Sequence, residues 1–359
     1  MQKNSKQITD GKAVVAGIDL GKRSSEICLM DRDGAIIERR KIGTTKKNFE
    51  RLFGALPRLR AALETGPSSN WVARLLDELG HETVVADAQR VKIITDTHSK
   101  DDKRDAGWLS EIALRWPELL NPVKQRSLET QQHRAMLRLR EGLVEARTKL
   151  INAVRGVMTS FGERLPASNG DYFARKAMPH LPQLLRDQVQ PAVLAIEAIS
   201  AQVQVYDHMV KKLCRERYRA ATERMQTIPG VGPTTALAFT LELDGDPSWL
   251  RSSRSAGALV GLRPKRRDSG EKSPELSITK KGNRMLRRLL VQCSHHILGP
   301  FGPDTALRLW GSSLVARSGT KRGKRKAIVA VARKLAVLLH TLWRRDEDYD
   351  PLYGLSQKT

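Results

Sequence analysis

The sequence predicts an α/β N-terminal domain on a mixed five-stranded sheet, then a long helical linker, then a mainly α C-terminal domain. Three observations predict it. Short β-prone runs alternate with turn signals over residues 13–87, long apolar stripes at helical spacing replace them from 126 onward, and the positive charge collects towards the C-terminus.

The elements follow in order. AVVAGIDL (13–20), SEICLM (25–30) and AIIERRK (35–41) are strand-like runs separated by Gly- and Asp-bearing turns, a three-stranded meander. Residues 45–56 carry a helical pattern, and RLRAALE (58–64) reads as a strand that ends at Glu64, where Thr65-Gly66-Pro67 breaks the chain. Ser68 or Ser69 is placed to cap the next helix, whose apolar positions Trp71, Val72, Leu75, Leu76 and Leu79 keep the 3.6 period until Gly80. HETVVAD (81–87) supplies a fifth strand and 102–115 returns to helix. The order βββαβαβα, with five strands, is that of an RNase H-like fold.

From 126 to 226 the pattern is wholly helical. A break between Gly162 and Pro182 separates two long helices, which fits an antiparallel hairpin or an intermolecular coiled coil. RMQTIPGVGPTTALAF (224–239) places a Pro-Gly-Val-Gly-Pro turn between two helical segments, the pattern of a helix-hairpin-helix, and the amides around Gly230 and Gly232 are then candidates for phosphate binding. A plain structural turn is the alternative. Further helices are expected near 253–261, 280–298 and 324–345. The domains are therefore an α/β domain over 10–122, a helical and oligomerising linker over 123–223, a basic helical domain over 224–345 and a tail over 346–359.

Composition narrows the class. Of 359 residues 40% are hydrophobic, enough for cores, yet no run approaches the roughly 18 apolar residues of a membrane span. The N-terminus lacks the apolar stretch of a secretory signal, and Cys28, Cys214 and Cys293 form no CxxC pair, which points to the cytoplasm and against structural zinc or a disulfide framework. A net charge of +24 demands a polyanionic partner. Of this charge the first 125 residues hold only +4, while residues 251–335 hold +17. Aromatic residues are scarce at 5%, so contacts to phosphate should dominate over base stacking.

Four acids stand out. Asp19, in GIDLGK, sits in an apolar strand where a charge is costly unless it meets a cation or partner, and Glu64 ends another strand. Asp102 and Asp105 are three apart on a helix, which sets their Cβ atoms roughly 5–6 Å apart on one face. Four such carboxylates suit two divalent cations, Mg2+ or Mn2+, acting on a phosphodiester. Singly each has a plainer reading: Asp19 as a turn residue, Asp102 as a helix cap. Asp101 competes with Asp102, but the spacing to Asp105 favours Asp102.

These blocks resemble one family. GIDLGK, LETG, KDDKRDA and, towards the C-terminus, TIPGVGPTTALAF, AGALVGLRP, DSG and SITKKGNRMLRRLL match in order the DEDD-type insertion-sequence transposases related to the Piv invertases, some of them guided by a bridge RNA. The resemblance spans 13–340, with an acidic residue, Asp101, where the family commonly has a small polar one. It implies a RuvC-like N-terminal domain and a C-terminal transposase domain with a nucleophilic serine, here Ser269. Ser273 and Ser277 are the fallback candidates. The implied chemistry is recombination through a covalent phosphoserine, with Lys265, Arg266, Arg267 and Lys272 steadying the phosphate.

Lys280, Lys281, Asn283, Arg284, Arg287 and Arg288, together with Lys321, Arg322, Lys324 and Arg325, are the further candidates for holding nucleic acid. The partners implied are donor and target DNA, a guide RNA and further copies of the chain as a homodimer or homotetramer. Two other readings compete: a metal-dependent nuclease or junction resolvase that uses water, and a nucleic-acid-binding protein without catalysis.

Overall fold

A computed structural model describes residues 13–87, 102–265 and 276–352. Asp101, Arg266, Arg267, Ser269, Lys272 and Ser273 lie outside the described residues, as does the side chain of Asp102. The chain divides into two compact units between Gln125 and Arg126.

The first unit is the expected mixed sheet. Strands β1 (Val15–Leu20), β2 (Ser24–Met30), β3 (Ile36–Gly43), β4 (Arg60–Glu64) and β5 (Glu82–Ala86) lie in the order β3-β2-β1-β4-β5. β1, β2 and β3 pair antiparallel, as a meander must, while β4 and β5 join β1 in parallel through helical crossovers. Strand alternation then sorts the side chains onto two faces. Ala16, Ile18, Ile27, Leu29, Ala61, Leu63 and Val85 meet α1 (Lys46–Phe53) and α2 (Ser69–Glu78) through Phe49, Phe53, Val72 and Leu76. Thr45 caps α1 by accepting from the Asn48 amide. Ser68 stands at the N-cap of α2 without a capping hydrogen bond, whereas Ser69 closes the turn by bonding both polar groups of Gly66.

The opposite face carries Val15, Gly17, Cys28, Met30, Ala62, Val84 and Ala86, and α3 (Asp102–Arg115) lies on it through Ala106, Leu109, Ile112 and Ala113. Contact is closest at Gly17. Any Cβ there would overlap the Ala106 carbonyl oxygen, so only glycine lets helix and strand approach this far.

The second unit is helical. α4 (Leu128–Ser160) and α6 (Arg186–Glu216) form an antiparallel pair, joined through the short α5 (Phe173–Ala177). Two cores hold them. One, at the far end, gathers Ile151, Val154, Met158, Phe173, Leu185, Val193 and Ile196; at the near end Met136, Leu137, Val210 and Cys214 enter the larger C-terminal core. That core joins α7 (Arg219–Gln226), α8 (Pro233–Glu242), α9 (Ala256–Leu259), α10 (Arg284–Ile297), α11 (Ala306–Ser318) and α12 (Lys321–Arg345). α9 is much shorter than the helix expected over 253–261, and α11 was not foreseen from the pattern. α10 begins at Arg284 and not at 280, because Lys280 and Gly282 have φ of +56° and +96°, which no α-helix accepts. Among the described residues no helix is long and apolar enough to cross a membrane.

Candidate functional site

Three of the four predicted acids can be placed by backbone and register. Asp19 is one residue beyond the Ile18–Leu63 pair that joins β1 to β4, and Glu64 is the last residue of β4, opposite Ala86. Alternation puts both on the face covered by α3. The helix runs against those strands: its C-terminal carbonyl of Ala113 accepts from Arg60, at the start of β4, while Ala106 lies over Gly17 further along β1. Its first turn therefore arrives at the carboxyl ends of β1 and β4. The buried stripe Ala106, Leu109, Ser110 and Ala113 continues backwards, at helical spacing, to Asp105. Asp19, Glu64 and Asp105 are each half-buried.

Among the described side chains no group of three or more His, Cys, Asp or Glu is arranged to hold a metal ion. The fourth carboxylate, on Asp102, is outside that set. The donors present are all carboxylate oxygens, the chemistry that suits Mg2+ or Mn2+.

One acid escaped the sequence reading. Glu26 stands directly across from Asp19 in the β1–β2 register, 8% exposed, with its carboxylate 2.9 Å from Lys41 Nζ. The alternation in SEICLM was the signal, since it puts Glu26 on the face of Cys28 and Met30 and away from that of Ile27.

The glycine-rich turn connects α7 to α8. Gly230 has φ of +90°, and a Cβ on it would stand 2.8 Å from His296 Cδ2, so this glycine is required by packing against α10. Gly232 is different. It occupies the N-cap of α8 with Pro233 at the first helical position, and among the described residues nothing lies within 4 Å of the place of its missing Cβ.

The predicted serine lies outside the described residues, but the two flanks of its segment are joined. The Lys265 amide donates to the Ser277 carbonyl (2.9 Å), the Thr279 amide to Arg263 (2.8 Å) and the Lys280 amide to Gly261 (3.0 Å), with Pro264 bridged antiparallel to Ile278. Gly261 and Gly282 permit this crossing, for a Cβ on the first would overlap the Lys281 carbonyl and on the second the Leu259 carbonyl. Ser277 is part of this pairing and is exposed.

The basic candidates divide. Lys265, Lys280, Lys281, Arg284, Lys321, Arg322, Lys324 and Arg325 are exposed. The last four fall in the first two turns of α12, where their mutual repulsion and the positive end of the helix dipole both disfavour them unless an anion is near. By contrast Arg287 donates to the Val260 carbonyl (2.9 Å), and burial together with Arg284 lowers its pKa. Arg288 is paired with Glu141 (2.7 Å) and Glu145 (2.8 Å) of α4. Asn283 caps α10 with its oxygen and donates to Glu242 Oε2 (2.6 Å). Glu242 is 5% exposed and also binds Arg126 (2.9 Å) and Arg134 (2.5 Å). These three residues therefore hold the unit together.

Comparison with known proteins agrees with the motifs. A transposase family model of the DEDD IS110 type matches residues 16–162, and the model described as the IS116/IS110/IS902 transposase family matches 222–307. The first range contains all four acids and the second contains Ser269. The chain is 29% identical over 345 residues to a transposase of insertion sequence element IS1111A from Coxiella burnetii, covering 93% of this chain and 91% of that one. A probable family 20 transposase of Pseudomonas aeruginosa is 29% identical over 343 residues, covering 93% and 98%. A transposase of element IS1328 from Yersinia enterocolitica is 28% identical over 281 residues, covering 77% and 82%.

Proposed function

Because the chain belongs to the IS110 family of transposases, enzymes that cut and rejoin DNA, we propose that it does so through Ser269 and the acids Asp19, Glu64, Asp102 and Asp105. The observation that supports this most is the arrival of the first turn of α3 at the carboxyl ends of β1 and β4, where Asp19 and Glu64 stand. The four carboxylates would hold Mg2+ or Mn2+, which supplies Lewis acidity to a phosphodiester oxygen.

In this reading Ser269 Oγ attacks phosphorus, forming a 5′-phosphoserine ester as the bond to the 3′ oxygen breaks. The serine proton passes to a base, and the leaving strand departs as a 3′-hydroxyl. Attack by another 3′-hydroxyl reverses the step and joins new strands without an external energy source. Lys265, Arg266, Arg267 and Lys272 would balance the charge at phosphorus. A guide RNA and donor and target DNA would lie on the basic surface of the second unit, for which the charge of residues 251–335 and the family resemblance speak. Assembly as a dimer or tetramer is favoured by Leu139, Val205 and Met209, apolar and 59%, 50% and 45% exposed on the paired long helices.

The test is a covalent protein–DNA adduct trapped in magnesium. Ser269→Ala should abolish it, and Asp19→Asn should abolish cleavage. Cleavage undiminished in Ser269→Ala would instead establish water as the nucleophile. Sequencing the nucleic acid that co-purifies, then repeating strand exchange without it, tests the guide.

A further inference from the structure

Arg251, Arg254, Arg344 and Arg345 line one cleft of about 570 Å³, between the turn that precedes α9 and the C-terminal end of α12. Among the described residues no acidic side chain lines it. Its other walls are Ser252, Ser253, Val337 and Thr341. The two pairs of arginines are some ninety residues apart in the chain, so charge counting along the sequence does not bring them together.

The walls are fixed to each other. His340 is fully buried; its Nε2–H donates to the Pro247 carbonyl (2.8 Å), which leaves Nδ1 to accept from Ser253 Oγ (2.8 Å). Arg344 donates to the Arg251 carbonyl (3.0 Å). Burial, with Arg344 adding to it, lowers the His340 pKa and so favours the neutral ring, in which Nδ1 carries no proton and accepts from Ser253. The walls of the cleft and the Arg344 guanidinium are thus fixed, and the exposed side chains of Arg251, Arg254 and Arg345 are carried on that frame.

Arg344 and Arg345 gain something from the negative end of α12. Arg251 and Arg254 have no such compensation, and among the described residues neither has an ion-pair partner. Arg345 meets Glu347 only at 3.8 Å, with both side chains largely exposed. Four like charges held in one cleft lower the stability of the free protein, a cost that an anion removes. Guanidinium forks match phosphate oxygens in pairs, and four of them exceed what one phosphate needs.

We infer that this cleft grips consecutive phosphates of a polynucleotide backbone, as a second anchoring surface built from residues other than Lys265, Lys280, Lys281 and the basic start of α12. The inference rests on the reading of the chain as a DNA transposase.

The experiment uses the full chain with Arg254 and Arg345 both changed to Gln, and binding to duplex DNA, single-stranded DNA and single-stranded RNA measured against salt. The slope of log K against log salt should fall by about 0.9 per lost contact on duplex, or about 0.7 on a single strand. The probe that shows the fall identifies which strand the cleft holds. Without nucleic acid the variant should melt at the wild-type temperature or above it; Arg251→Gln alone serves as the second variant if the double one melts lower. Wild-type slopes on all three probes overturn the cleft while leaving the transposase reading intact. Wild-type protein that binds none of them in a salt-dependent way overturns both.

Discussion

The amide of Gly17 donates to Ser110 Oγ at 2.7 Å, and the same hydroxyl donates to the Cys28 carbonyl at 2.8 Å. One buried serine thereby ties α3 to β1 and β2, two residues before Asp19.

Two variants separate the strands of that relationship. Gly17→Ala forces helix and sheet apart, and should cost about 3 kcal/mol, the upper range for overpacking, with loss of transposition. Ser110→Ala leaves the space but removes the hydroxyl that bonds the buried Gly17 amide and Cys28 carbonyl, for about 1–3 kcal/mol. Urea unfolding gives the two costs. A Gly17→Ala protein as stable and active as wild type would show that α3 is not held where the geometry puts it.

The buried carboxylate of Glu242 poses a second test. Arg126, Arg134 and Asn283 all converge on it, so it connects the start of the second unit, α4 and the cap of α10. Burial alone would lower the Arg126 pKa, and Glu242 opposes that. Glu242→Gln takes the counter-charge from Arg134 and leaves Arg126 with Asp244 alone, an expected loss of about 3 kcal/mol, the lower end for breaking a buried ion pair. A shift of the denaturant midpoint too small for 1 kcal/mol would remove this network from the account of stability.

The N-terminal sheet was legible because each strand there reports its own face: alternation separates Ile18 from Gly17 and Asp19, and turn residues mark the ends. Asp19 and Glu64 were visible for the same reason, as charges at the ends of apolar runs. α11 was not. Its LRLWGSSLVARS has apolar residues on no single face, and Gly311, which suggests a break, instead admits Val331 and Leu298 at close range. The pairing of 263–265 with 277–279 was equally hidden, since it depends on backbone crossing at Gly261 and Gly282 and on no periodic pattern. Arg288 looks like its basic neighbours in the sequence; only the fold supplies Glu141 and Glu145.

That difference between neighbours is measurable. Lys281 is exposed in the entrance to α10, whereas Arg288 is occupied by two carboxylates. Lys281→Gln should reduce the salt slope of DNA binding by about 0.9 if one phosphate contact is lost. Arg288→Gln should leave the slope unchanged and loosen α4 from α10. Equal reductions in both would mean that the Arg288 ion pairs open on DNA.

His340 sets a pH dependence. The ring is fully buried, facing Ser253, the Pro247 carbonyl and Arg344, and its pKa lies below the ordinary 6.5 through burial first and the Arg344 charge last. Well above 6.5 the ring is neutral in both folded and unfolded chains and contributes no pH dependence. As pH falls below that value the unfolded chain takes up a proton that the folded chain refuses, so stability declines until the folded pKa is reached and then levels off. His133 is shifted in the same direction by burial, so its contribution adds to the decline. Unfolding free energy measured at a series of pH values should therefore decrease from neutral pH downward, and His340→Gln should flatten part of that slope just below pH 6.5 and His133→Gln a further part, while Glu129, its pKa lowered by Arg217, takes over at lower pH. A His340→Gln variant with the full wild-type slope would place the titration elsewhere and show that the His340 ring accepts its proton without opposition.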